Sequence, residues 1–390
     1  MTKTAAILLS ILLLTFIIAP FTVETGNAVS GDKKYVIKSS VKFTAPPGHG
    51  WNFTEDDKAI GFYMNTSWQT VSLVNSSHQF ESVKINEDGN SIAVLNMPNI
   101  KAGESTEYAV VYDAVAKPRN MPSIEENAAL PLSEIPHNLS TAYLNNTDTW
   151  MSNNAMIRNL AFSLRGDETK VLAIVGNFVS WIWKNITYAS HELPLYPNET
   201  LSAERGDCDD QAILLISFCR TVGIPAYLQI GCIYRSDITN ESSFAWNGHV
   251  ENVQNHIGWH GWAMVYVPPW GWLPVDLTYV PPSLKSNPLS AIESGAVTMQ
   301  DTVQYMNFVK ADYVFEAREY KNFLINNDFH ITTYDEMTLK QNTNPFGFIL
   351  ESLDPIMIGT LLIAGIAVGV AGLLVYIKYG KMKKLKPLPC

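Results

Sequence analysis

Cysteine is scarce in this chain, with four residues in 390, too few to staple a fold together. Basic residues are also outnumbered, 27 Lys and Arg against 37 Asp and Glu. Five of those lysines (Lys378, Lys381, Lys383, Lys384 and Lys386) crowd the C-terminus, so 22 basic residues face the 37 acids elsewhere, a balance of −15. Such a surface repels nucleic acid and anionic polymers, and no basic stripe argues otherwise. Internal repeats and low-complexity tracts are missing too, which excludes solenoids and tethers of biased composition.

Two long apolar runs are present. Lys3 precedes the run Ala5 to Phe21, and small residues follow around Gly26-Asn27-Ala28. Segment 1–30 therefore reads as a secretory signal peptide, or as an uncleaved anchor. Ile356 to Ile377 is 22 residues without a charge, enough to cross roughly 30 Å of hydrocarbon as a helix. The lysines that follow place the tail 378–390 in the cytoplasm and the bulk of the chain outside. Eight Asn-X-Ser/Thr sites precede the span, at Asn52, Asn65, Asn75, Asn138, Asn145, Asn185, Asn198 and Asn240. They fit an extracellular glycoprotein, although chance supplies some in any Asn-rich chain.

Between the runs, residues 31–125 alternate at period two. Tyr35, Ile37, Ser39, Val41 and Phe43 share one face, as do Tyr108, Val110 and Tyr112, and Asp88-Gly89 marks a hairpin. A small β-sandwich-like domain is expected there. Helical spacing follows in Val171, Ile174, Val175, Phe178, Val179 and Ile182, with Asp167 as a possible cap. A second helix should run from Cys208 to Gly223-Ile224-Pro225, with strands at Ala226–Tyr234, Ala263–Val267 and Trp272–Tyr279 and a helix near Asp312–Phe323. A linker at 346–355 would lead from a domain 126–345 to the span.

The densest chemistry is Arg205-Gly206-Asp207-Cys208-Asp209-Asp210-Gln211-Ala212, which puts one cysteine at a helix start. First-turn N–H groups and the helix dipole there favour a thiolate. His260-Gly261-Trp262 follows about fifty residues later, and then Gly271-Trp272-Leu273-Pro274-Val275-Asp276. Cys, His and Asp could serve as nucleophile, base and orienter of the base. Each alone has an ordinary alternative: a buried inert thiol, a core imidazole, a turn-capping carboxylate. The specificity lies in the joint order.

In that order, with Trp183-Lys184-Asn185-Ile186-Thr187-Tyr188 upstream and Gly223-Ile224-Pro225-Ala226 between, the chain resembles the transglutaminase-like superfamily over about Leu160 to Tyr279. The resemblance implies an α+β, papain-like core of helices on an antiparallel sheet. It also implies a catalytic triad of Cys208, His260 and Asp276. Gly261 and Met264 depart mildly from the family's usual Ala and acidic residue. One oxyanion donor would be the Cys208 backbone N–H. The second could be the indole of Trp181 or Trp183, unless both are core aromatics.

No cofactor or metal is expected. His249, His256 and His260 lack the glutamate of a zincin helix, and an acidic cluster at Asp207, Asp209 and Asp210 suits a helix start without an ion. Cys219 could pair with Cys232, or both could be buried thiols. Partners would be protein or peptide substrates at the cell surface, plus the membrane, with no nucleic acid. The expected activity is thiol-dependent acyl transfer on peptide or carboxamide bonds, hydrolysis ahead of cross-linking. The alternative is a noncatalytic surface or envelope module on the same fold.

Overall fold

Alternation in Lys33–Thr44 buries Tyr35, Ile37, Val41 and Phe43 and makes this strand the spine of a six-stranded sheet. The computed structural model describes residues 31–119, 123–293, 295 and 302–340. The expected signal segment 1–30, linker 346–355, span Ile356–Ile377 and tail 378–390 lie outside the described residues. Among the described residues no helix is long and apolar enough to cross a membrane.

In the six-stranded sheet the order is Glu241–Ala245, Val250–Asn255, His330–Lys340, Lys33–Thr44, Ser105–Ala116, Gln69–Ser76. Lys33–Thr44 pairs antiparallel with Ser105–Ala116 on one side and with His330–Lys340 on the other. The boundary expected at residue 125 is therefore crossed by the sheet itself. Segment 31–125 does not close a sandwich of its own, because half the sheet comes from residues beyond 240. Within the segment, the Asp88-Gly89 hairpin is present: Phe80–Ile85 pairs with Ser91–Leu95, and Gly89 takes φ +82°.

A second sheet has four antiparallel strands in the order Gly271–Val275, Ile257–Val267, Ala226–Tyr234, Thr302–Phe308. The helix Cys208–Thr221 is buried along its whole length and packs on the two central strands. It ends at Val222, and Gly223 follows with φ +90°, a conformation that favours glycine. The helix Val171–Asn185 buries Ile174, Val175, Phe178 and Ile182. Its N-cap is Lys170 and not Asp167, because the Glu168 carboxylate takes the N–H groups of Thr169 and Lys170, both at 2.8 Å. The helix Tyr313–Asn326 completes the shell. Cys219 and Cys232 are both free and buried, so the possible disulfide is absent.

Candidate active site

Gly206 shapes the start of the nucleophile helix. A Cβ at Gly206 would lie 2.7 Å from Asp210 Cβ and 3.1 Å from Thr200 Cγ2. Lacking one, it lets the Asp210 carboxylate fold back to accept Asp207 N–H at 3.2 Å and Leu195 N–H at 2.6 Å. Asp207 Oδ2 accepts the His191 N–H at 3.3 Å, and His191 Nδ1 lies 3.2 Å from Asp210 Oδ2. The segment 191–195 is thus strapped onto the turn that presents Cys208. Cys208 takes the first helical position, where its N–H has no acceptor within the helix.

His260 sits inside Ile257–Val267, and Asp276 lies one residue past Gly271–Val275. Pairing of Ala263 with Val275 brings the two side chains together. His260 Nε2 lies 2.7 Å from Asp276 Oδ2. The other oxygen, Asp276 Oδ1, accepts the N–H groups of Thr278 and Tyr279, both at 3.0 Å. Burial works against this carboxylate, yet the imidazole and those N–H groups hold it down at about 2. Asp276 stays ionised, so Nε2 carries the proton of the pair and Nδ1 keeps a lone pair.

The Gly261 N–H, from the residue after His260, favours the thiolate of Cys208, and Gly261 lies against Asp209 at the helix start. That contact brings the helix start and the histidine strand together. A Cβ on Gly261 would meet Asp209 Cβ at 3.4 Å, ordinary contact, so the departure from alanine there reflects no steric demand.

Electrostatics at the sulfur differ from the sequence expectation. Burial pushes the Cys208 thiol well up, Asp207 and Asp209 add to the effect, and the Gly261 N–H only partly opposes it. Burial is the largest influence on the thiol and outweighs the helix dipole, which supplies about 1 kcal/mol. The resting group is a thiol. Burial, then the charges of Asp209 and Asp210, drive the Asp207 carboxyl well up, and burial raises Asp209 as well, although it accepts the Tyr313 hydroxyl at 2.9 Å. Exposure is 3 % for Cys208, 3 % for His260 and 1 % for Asp276, so little of the trio meets solvent.

Of the two indoles proposed as the second oxyanion donor, one is committed elsewhere and the other packs far along the nucleophile helix. Trp183 Nε1 donates to the Leu277 carbonyl at 2.8 Å, which ties the helix Val171–Asn185 to the residue after Asp276. Trp181 packs edge-on against Phe218, with ring centres 6.0 Å apart. Phe218 is ten residues along the helix from Cys208, about 15 Å away at 1.5 Å per residue. Both are structural aromatics.

Three residues outside the sequence-derived set border the site. The Tyr188 phenol is raised by burial, then by Cys208 and Asp207 beside it; its strand Thr187–Tyr188 pairs with Arg205–Gly206, two residues before the sulfur. Lys285 lies over the Trp183 ring at 5.8 Å, its amine lowered by burial and held up by Asp276. Trp262, with its ring centre 5.9 Å from that of His260, has a buried indole N–H without an acceptor. Tyr188 and Trp262 belong to the stretches that carry the family resemblance, which was the available signal. Lys285 had none.

For a metal, two groupings of donors lie at the site, His191 with Asp207 and Asp210, and Asp207 with Cys208 and Asp209, the donors of each within 4.8 Å of one another. The histidines His249, His256 and His260 do not act as a set. His249 bonds the Phe329 carbonyl, His256 lies beside the Tyr234 ring, and His260 is held by Asp276.

Comparison with known proteins matches residues 158–277 to the family described as the transglutaminase-like superfamily. No curated protein sequence matches the chain. Among solved structures, a candidate cysteine protease from Cytophaga hutchinsonii aligns with TM-score 0.48 and 14 % identity, over 79 % of this chain and 90 % of that one. A candidate protease from Parabacteroides distasonis aligns with TM-score 0.23 and 12 % identity, over 64 % and 68 %. LapG of Legionella pneumophila gives TM-score 0.25 and 18 % identity, over 47 % and 87 %. The matched residues 158–277 include Cys208, His260 and Asp276, so this part of the chain is similar to the transglutaminase-like superfamily.

Proposed function

We propose that the protein is a thiol-dependent acyl-transfer enzyme that hydrolyses peptide or carboxamide bonds. It would act outside the cell, tethered by the apolar run Ile356 to Ile377. The observation that carries the reading is the His260–Asp276 pair at 2.7 Å, with His260 on a strand whose next residue, Gly261, lies against Asp209 beside Cys208. In the reaction, sulfur attacks the carbonyl carbon as its proton passes to His260 Nδ1. The imidazolium, stabilised by Asp276, gives that proton to the departing amine, leaving a thioester. Water then adds to the thioester carbon, with His260 taking its proton, and the C–S bond breaks to restore the thiol. The Cys208 N–H supplies one donor to the oxyanion. Hydrolysis is favoured over cross-linking because water is the default acceptor of an acyl-enzyme.

Full-length protein incubated with a peptide library and a labelled amine tests this by mass spectrometry. Cleaved peptides that vanish with Cys208→Ala and drop sharply with His260→Ala are expected. Cleavage that survives Cys208→Ala overturns the reading, and exclusive amine incorporation would make the enzyme a transamidase.

The burial of the trio favours one other reading, a noncatalytic surface module built on the same core. It requires Cys208→Ala to leave every property of the protein unchanged.

A further inference from the structure

We infer that His249, His330 and Asp328 form a binding site for a borderline divalent transition ion of the zinc, cobalt or nickel class, apart from the Cys208 chemistry. The topology creates it. Val250–Asn255 and His330–Lys340 run parallel, with Val250 opposite Ile331, and Ile331 N–H bonds the His249 carbonyl at 2.8 Å. Two histidines 81 positions apart therefore stand side by side at the start of adjacent strands. Their rings stack with centres 4.6 Å apart and planes at 21°.

Hydrogen bonding fixes what each ring offers. His249 Nδ1 lies 3.0 Å from the Phe329 carbonyl, and His330 Nδ1 lies 3.2 Å from the Gly248 carbonyl. A carbonyl only accepts, so each Nδ1 carries a proton, and a metal would bind at Nε2 in place of any proton there. Second-partner bonds of this kind orient ligating histidines. Asp328 adds an oxygen: Oδ1 lies 3.4 Å from His330 Nε2. One donor atom from each of the three residues falls within 4.8 Å of the others. Phe329 anchors the turn, buried and stacked on Trp51 at 4.2 Å, while Asp328 takes φ +50°.

Two imidazoles and one carboxylate match borderline ions, and they suit calcium or magnesium poorly, since those demand oxygen ligands. Zinc-like bonds of about 2.0–2.1 Å require donors roughly 3.4 Å apart. The cluster must therefore contract by up to about 1.4 Å, with the stacked rings splaying until both Nε2 atoms face one point. Asp328 and His330 are exposed and can make that movement. Water would complete the shell.

Cobalt(II) is the probe, titrated into the full-length protein after chelator treatment and followed by visible absorption. One equivalent should bind with a tetrahedral-type d–d band, and zinc should displace it. His330→Ala and Asp328→Asn, both at exposed positions, should each weaken cobalt binding at least about tenfold, whereas His191→Ala should leave it unchanged. Wild-type affinity in His330→Ala and Asp328→Asn overturns the inference. So does a wild-type protein that binds no cobalt saturably, or a cobalt signal lost in His191→Ala and kept in His330→Ala.

Discussion

His260 binds Asp276 through Nε2 at 2.7 Å, and that choice of nitrogen assigns the proton chemistry of the site. With Nε2–H facing a carboxylate that stays ionised down to about pH 2, only Nδ1 can accept a proton from a thiol.

Replacing that carboxylate removes both its charge and one of its acceptors. In Asp276→Asn the single amide oxygen can serve Nε2–H or the N–H groups of Thr278 and Tyr279, not both, so the imidazole loses its counter-charge and its fixed tautomer. The turnover number should fall by about 10²–10⁴-fold at neutral pH, the range general acid–base groups supply, with the fold intact by circular dichroism. A turnover number within threefold of wild type would remove Asp276 from the mechanism.

Two glycines near the nucleophile should respond oppositely to the same substitution. Gly206→Ala forces a Cβ to 2.7 Å from Asp210 Cβ, displacing the carboxylate that holds Asp207 and the strap at Leu195. Overpacking of this kind costs about 1–3 kcal/mol. Gly261→Ala meets nothing closer than 3.4 Å and should change stability by less than about 1 kcal/mol. Urea unfolding of both variants checks the contrast; equal losses would mean the backbone around Cys208 adjusts freely.

Much of this arrangement was legible where the signal was local. The helix from Cys208 is marked by its apolar run and its Gly223 stop, and Ala226–Tyr234 by a run bounded by Pro225. Pairing of Lys33–Thr44 with His330–Lys340 was not, because it joins residues 298 apart, such as Lys38 and Glu336. Alternation marks a strand but does not name its partner. The acidity of Cys208 was misread for a related reason. The dipole is visible in the sequence, whereas burial and the packing of Asp207 and Asp209 around the sulfur exist only after folding.

Trp183 also shows why a residue type does not reveal its role. Its indole N–H is committed to the Leu277 carbonyl, so Trp183→Phe should destabilise the fold by about 1–3 kcal/mol through the carbonyl left without its donor. The turnover number should stay within a few-fold of wild type. An oxyanion donor would behave differently, costing about 10²–10³-fold in turnover with stability unchanged. Paired urea and steady-state measurements distinguish the two outcomes.

Asp335 gives a pH dependence far in sequence from the triad. Its oxygens accept the Ser39 hydroxyl at 2.6 Å and the Trp259 indole N–H at 3.0 Å, one residue from His260. Burial nevertheless lifts the carboxyl from 3.8 to about 6. Between those values the folded protein keeps a proton that the unfolded chain has released. Stability attributable to this group is therefore full below the lower value and falls as pH rises through the window, by about 3 kcal/mol altogether. Asp335→Asn can keep both bonds, with its oxygen accepting from Trp259 and its amide donating to Ser39, and it has no proton to lose. Unfolding free energies between pH 4 and 6.5 should decline less steeply in the variant than in wild type, and the variant should be the more stable of the two at pH 7. Parallel curves would mean that Asp335 is already ionised across that range and that its two hydrogen bonds outweigh burial.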